Sequence, residues 1–418
     1  MALWPRTWFC RVDINAREGV SMSLNVRGLP FEVPSYSLTG DVLSFQRCGL
    51  AYRYYNGSSL PPSRPVQMWT GEFVHGVLEE AYRFWNLHHT QFPWPYAPPQ
   101  WPPQLAAPIQ DNNDIGSLGH RVEVRLAASG KRSRSATARA AAYRRVEAAV
   151  NQLCPHLFPV ISAAEERISG TRAMPALPAG EAPRGTRYEL TGIVDVISSV
   201  MLGGANANPL VALIQSQLPN VPAGEYDVIV DYKAGRRPAL DSPLRTQFEF
   251  QVQTYAWLRA QIPQSRPVGA GVLIYINEFS PSRDDMAEFG REMAHGTADV
   301  IPPNGSPDYY AVHTWHPDQP VPNLSFDFRL RRAIHVVDAA LPLIQHAVEQ
   351  IDSVISQIES SAFREHNTGN IPTNWNACGG SEDCVACDFV HFCPAPAHLR
   401  AQLQQPNPPP RTAPLAPG

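Results

Sequence analysis

Lysine is nearly absent from this sequence: of its 34 basic residues only Lys131 and Lys233 are lysines. Arginine fills most surface roles equally well, so each lysine marks a place where a compact, titratable ammonium has been kept. Positive charge is scarce too. A formal net charge of -4 excludes a uniformly basic nucleic-acid coat, and any contact with a polyanion has to come from a local groove. No stretch of about twenty apolar residues occurs. The opening MALWPRTWFCRVDINARE has neither the charged start, the apolar run nor the small-residue cleavage site of a secretory signal. The expected location is cytoplasmic, with no membrane contact. Seven cysteines in 418 residues are too few for a disulfide framework and point to metal ligation or buried thiols. There is no internal repeat, and neither a G-x-x-x-x-G-K-[ST] phosphate loop nor a helicase motif, so any unwinding of a duplex would belong to a partner.

What is present is enough apolar residue, 44%, to bury one large or two ordinary cores. The first thirty residues read as extended or loosely attached. SLTGDVLSFQRCGLAYRYY then has the cap and spacing of a short helix ending near Cys48, and GEFVHGVLEEAYRFWNL predicts a second. Residues 91–115, rich in Pro, Gln and Asn, read as a loop insertion; HRVEVRL reads as a strand and GKRSRSATARAAAYRRVEAAVNQL as a basic helix. RYELTGIVDVI (187–197), EYDVIVDYK (225–233) and VGAGVLIYIN (268–277) run apolar in the manner of buried strands, with the helical QFEFQVQTYAWLRAQI between the last two. Residues 198–224 read as a second loop insertion. RRAIHVVDAALPLIQHAVEQIDSVISQIESSAF predicts one long amphipathic helix, and a Pro/Gln tail after Cys393 reads as disordered. Strand, strand, helix, strand implies an α/β chain with a mixed central sheet flanked by helices.

Two aspartates stand in those strands. Asp195 falls inside TGIVDVI and Asp231 ends the apolar part of DVIVDYK, and a carboxylate in such a run is costly to bury unless something positive joins it. Lys233, two residues after Asp231, projects from the same strand face, so ammonium and carboxylate can converge on one point. A structural Asp–Lys pair at a strand end would also explain a lone D-x-K. Cleaving a phosphodiester, however, needs a nucleophilic water and relief of charge on the phosphorus, which Mg²⁺ or Mn²⁺ on carboxylates supplies.

Asp195, then Asp231-Tyr232-Lys233, then Gln251 and Tyr255 in QVQTY, with His75 in GEFVHGVLEE upstream, resembles the RecB-type branch of the PD-(D/E)XK nuclease superfamily. The likeness spans about residues 35–400, with divergent filler between motifs. It implies a restriction-endonuclease-like core at 35–396, an N-terminal extension at 1–34 and a tail at 397–418. It also implies that His75, Asp195, Asp231 and the Tyr232 carbonyl hold Mg²⁺ or Mn²⁺, that Lys233 is catalytic, and that Gln251 and Tyr255 position the lysine or contact DNA. Asp195 and Asp231 are 36 residues apart, longer than the family usually shows, which the insertion at 198–224 accommodates. Glu166, in a preceding strand, is a weaker candidate and is not retained. Arg236 and Arg237, just past Lys233, are placed by sequence to hold a DNA strand. The cations of 131–145 could track a phosphate backbone, although a solvated helix face explains them equally well.

Cys384-x2-Cys387-x5-Cys393 needs a fourth ligand. Cys378 is near enough for a closed four-cysteine zinc knot, whereas the spacing also resembles the iron–sulfur clasp of AddB nucleases and CRISPR-associated RecB-like exonucleases. In that clasp the first cysteine lies far upstream, and FQRCGLAYRYY matches it. The resemblance therefore implies a [4Fe-4S] cluster on Cys48, Cys384, Cys387 and Cys393, joining the two ends of the chain, with Cys378 in reserve and Cys10 and Cys154 as ordinary thiols. The expected function is a metal-dependent DNA nuclease, an exonuclease on ends or single strands in repair, recombination or defence, partnered by a helicase or CRISPR adaptation proteins. A non-catalytic DNA-binding scaffold and a cluster-based redox sensor are the other readings.

Overall fold

The computed structural model describes residues 26–27, 33–57, 65–98, 111–218, 220–378, 384, 387–390 and 393–394. The tail at 397–418, most of the extension at 1–34, Cys10, and residues 99–110 of the first insertion lie outside the described residues. The chain opens with strands β1 (Val26–Arg27) and β2 (Val33–Ser37), a π-turn over Leu38–Val42, and helices α1 (Leu43–Arg47), α2 (Gly49–Gly57) and α3 (Pro65–His88). Helices α4 (Ile115–Ala128), α5 (Ala136–Gln152) and α6 (Cys154–Leu157) lead into a hairpin of β3 (Ile161–Ala173) and β4 (Arg187–Leu202). After α7 (Pro209–Ser216) come β5 (Gly224–Lys233), α8 (Pro243–Ala260) and β6 (Val268–Tyr275). The chain continues through α9 (Arg283–His295), α10 (Pro307–His313), α11 (Phe326–Ala333), β7 (Ile334–Asp338), α12 (Leu341–Thr368) and α13 (Ile371–Asn374).

The described strands form one mixed, open sheet flanked by helices on both faces. β4 is antiparallel to β3 and β5, β5 is parallel to β6, and β6 is antiparallel to the edge strand β7. On one face α3 to α7 close a core that includes Phe73, Val77, Val122, Val146, Val228 and Val230. On the other, α8 and α12, with α1 and α2, cover Ile197, Ile229 and Leu273. Met286, Phe289, Val312, Leu324 and Phe328 make a small satellite core under α9 to α11. No helix among the described residues is long and apolar enough to cross a membrane.

Three segments differ from their sequence reading. HRVEVRL is helical, inside α4: Asp114 caps the helix by accepting from the Ser117 N–H, and Leu118, Val122 and Leu126 fall on one buried stripe. The second insertion is not loop throughout, because β4 runs on to Leu202 and Asn208 caps α7. RRAIHVV divides into the end of α11 and β7, whose Ile334, Val336 and Val337 pair with β6, so the long helix begins only at Leu341.

The N-terminal helices are tied to the C-terminal one by a buried fork. Arg53 Nε and Nη2 each donate at 2.6 Å to the two oxygens of Glu365, and Trp375 Nε1 donates to the same carboxylate at 2.7 Å. Both charged groups are buried, so removing one strands the other in a low-dielectric interior. Arg53→Ala is expected to lower stability by about 3–5 kcal/mol, read as a shift in the denaturant unfolding midpoint; a change within error would show that the fork carries little.

Candidate acidic site and cysteine cluster

The site arises where a ladder ends. One edge of β4 is taken by β3; the other is shared by β2, which pairs as far as Ser37↔Thr191, and β5, which pairs from Leu202↔Gly224 to Val196↔Val230. Residues 192–195 of β4 therefore face no strand on that edge, and the C-terminal end of β5 arrives at the opening. The Tyr232 N–H, which has lost its strand partner, donates instead to Asp195 Oδ2 at 2.7 Å. Alternation along β5 puts Val228, Val230 and Tyr232 in the core under α3 and turns Asp231 and Lys233 toward α8.

Around Asp231 the polar groups form a closed set. Gln251 on α8 donates from Nε2 to Asp231 Oδ1 at 3.0 Å and accepts from Lys233 Nζ through Oε1 at 2.8 Å, while Lys233 Nζ stands 2.5 Å from Asp231 Oδ2. The Phe248 ring lies 4.3 Å from the ammonium, and Tyr255 OH is 3.3 Å from Gln251 Nε2. α8 reaches this position because β4 and β6 have glycines beneath it. A Cβ at Gly271 would come 1.8 Å from Val252 Cγ1, and one at Gly192 would come 2.5 Å from the Tyr255 ring. From the other face α3 delivers His75, whose Nδ1 is 3.3 Å from Asp195 Oδ2.

Charge follows from this packing. Burial alone would lower the His75 pKa, but the Asp195 carboxylate, with Asp231 behind it, raises it to about 9. Burial raises Asp231 above the ordinary carboxylate range, opposed by the Lys233 ammonium. Sequence reading missed one participant. Glu165, not Glu166, stands across from Asp195, between the pairs Ala164↔Val196 and Glu166↔Val194, with φ at +52°. Its carboxyl is raised to about 7 by desolvation and by the negative charges of Asp195 and Glu79. Neighbouring residues of a regular strand point to opposite faces, and the left-handed backbone at Glu165 interrupts that alternation.

The residues expected to contact DNA, or in the case of Gln251 and Tyr255 to position the lysine, are mostly enclosed. Tyr255, Gln251 and Arg237 are buried, 2%, 7% and 4% exposed, and touch the interior only. Arg237 donates to Asp299 at 2.8 Å and to the carbonyls of Arg332 and Ile334 at 3.1 and 2.8 Å, and Arg236 pairs with Glu292 at 2.5 Å. These contacts brace the loop after Lys233.

The groups that could hold a divalent ion are two carboxylates and the Tyr232 carbonyl, hard oxygen donors of the kind Mg²⁺ and Mn²⁺ accept, with the softer His75 imidazole beside Asp195. Asp231 Oδ2 is buried and accepts no aligned hydrogen bond, having only the ammonium beside it. As they stand, no three His, Cys, Asp or Glu side chains among the described residues are close enough to cage an ion. Asp195 and Asp231 approach from opposite faces of the sheet, and Lys233 stands against the second.

The far cysteines do meet. The Cys378 N–H points at Cys48 Sγ at 3.4 Å, Cys378 Sγ is 3.1 Å from Cys384 Sγ, and the Leu50 N–H donates to the Asn376 carbonyl at 2.9 Å. Phe389 packs on Tyr54 and Tyr55 with ring centroids 5.0 and 4.7 Å apart. Burial, with Cys378 adjacent, pushes the Cys48 thiol up to about 11. Cys387 is likewise raised by burial, with Cys378 and Cys393 adding to it. Cys378, a reserve ligand by sequence, thus has the closest contacts with the other thiols. Cys154 is a fully buried thiol in the α3-side core.

No protein-family model matches the chain, and no curated protein matches it.

A carboxyl whose pKa is raised by folding holds a proton that the unfolded chain releases, so stability falls as pH rises from the unfolded value of about 4.3 to about 7. Without added metal, Glu165→Gln is expected to leave the melting temperature unchanged below pH 4 and to raise it above pH 7. A difference that does not vary with pH would remove Glu165 from the charged group.

Proposed function

We propose that the chain is a metal-dependent DNA nuclease of the PD-(D/E)XK type. The observation that supports this most is the parted ladder at Asp195 and Asp231, which offers two carboxylates at a strand opening with a lysine held against one of them. His75, Asp195, Asp231 and the Tyr232 carbonyl would hold Mg²⁺ or Mn²⁺. Bound there, the ion would lower the pKa of a water and neutralise charge on the scissile phosphate. Lys233 stands beside Asp231, where its Nζ can orient the attacking water or neutralise a phosphate oxygen. Arginine, planar and permanently charged, could not take up or give a proton there. Gln251 and Tyr255 are positioning residues: Gln251 fixes Lys233 Nζ and Asp231 Oδ1 at once, and Tyr255 closes on Gln251. The polarity of an exonuclease is left to the assay.

End-labelled single- and double-stranded DNA should be degraded with Mn²⁺ or Mg²⁺ and left intact with EDTA. Asp231→Asn should cut cleavage at least about 100-fold in protein that is still folded and still binds DNA at the assay temperature. Uncut DNA with the wild-type protein, still bound, would favour the non-catalytic scaffold.

For the cysteines we propose a [4Fe-4S] cluster on Cys48, Cys384, Cys387 and Cys393, with zinc as the competing occupant. Anaerobically purified protein should be brown, with about four irons per chain, and Cys384→Ser should lose both colour and iron. One zinc in a colourless protein would replace the cluster by a four-thiolate zinc site.

A further inference from the structure

The acidic opening carries a charge problem. Glu79 on α3, Glu165 on β3, and Asp195 and Asp231 crowd one region, with Glu72 further back along α3, and a phosphodiester approaching it is repelled unless cations flank the path. The described arginines are mostly spent on carboxylates: Arg125 on Glu80, Arg139 on Glu123, Arg145 on Asp285. Arg132 and Arg134, in the connection between α4 and α5, are among those that are not.

That connection is a built turn. The N–H groups of Ser129, Gly130 and Lys131 fold back on the last carbonyls of α4, Gly130 takes φ +79°, and the Ser135 hydroxyl caps α5. Lys131, the chain's other lysine, reaches across to Glu72, and both partners are partly exposed. Glu72 precedes His75 by three residues on α3, about 4.5 Å along the axis. Arg132 and Arg134 are exposed and have no carboxylate partner among the described residues. The loop is thus held by its lysine beside the histidine while its two arginines stay free.

Resting on the nuclease reading above, we infer that the Lys131–Arg134 loop holds the phosphates of the DNA strand beside the scissile bond. Arg132 and Arg134 each take a backbone phosphate, and Lys131 can exchange Glu72 for a third, because an ion pair this open to solvent is held only weakly. The contacts are to the backbone, so they position the strand and confer no base preference.

Binding of a labelled single-stranded oligodeoxynucleotide, followed by fluorescence anisotropy in EDTA across a salt series, separates the alternatives. Neutralising two phosphate contacts makes the plot of log affinity against log salt shallower by about 1.4. That change is expected for the double variant Arg132→Ala/Arg134→Ala. Arg331→Ala, which removes an exposed arginine of α11, should leave the slope as in the wild type. An unchanged slope in the double variant, or an equal change in Arg331→Ala, overturns the assignment of the loop while the nuclease reading stands. A wild-type protein that binds neither single- nor double-stranded DNA overturns the nuclease reading, and the loop assignment with it.

Discussion

The loss of pairing between β4 and β5 beyond Val196↔Val230 is the constraint on which the acidic opening depends. A continuous ladder would satisfy the Tyr232 N–H with main chain and leave both aspartates no reason to meet. With the strands parted, the amide needs another acceptor, Asp195 becomes that acceptor, and its second function is to hold His75 from the opposite layer. Asp231, turned to the other face, is buried so thoroughly that only an ammonium and an amide N–H make its charge tolerable, and Lys233 and Gln251 provide them. The same groups therefore satisfy the backbone and compensate the buried charge.

Much of this was legible in the sequence because it is carried by local pattern. The runs around 187–197, 225–233 and 268–277 are apolar on both faces, as strands covered by helices on both sides must be, and their structured counterparts are β4, β5 and β6. Gln251 and Tyr255 are one helical turn apart, so their stacking toward one point follows from the helix repeat. Charge compensation by distant residues was not legible. Arg237 follows Lys233 closely and looked free, but its carboxylate partner is Asp299, supplied by a segment 62 residues later. Glu165 departs from strand alternation through one left-handed backbone angle, which the sequence does not announce. HRVEVRL alternates like a strand, and only its cap and the burial of Glu123 against Arg139 and Tyr143 make it a helix.

The arrangement also explains the scarcity of lysine. Lys233 is pinned between Asp231, Gln251 and Phe248, and Lys131 pairs with Glu72 one turn before His75. Lys233 is at the acidic opening, and Lys131 is tied to the helix that delivers His75. A guanidinium fork would need a wider, planar slot than the one between Asp231 and Gln251.

The fork of Arg53 and Glu365 has a mechanical consequence. Because α2 and the end of α12 are clamped together by it, and Cys48 meets Cys378 just beyond, a pull that draws Cys378 away from the core would be borne first by these contacts, and the helices packed on the sheet would be loaded only after they part.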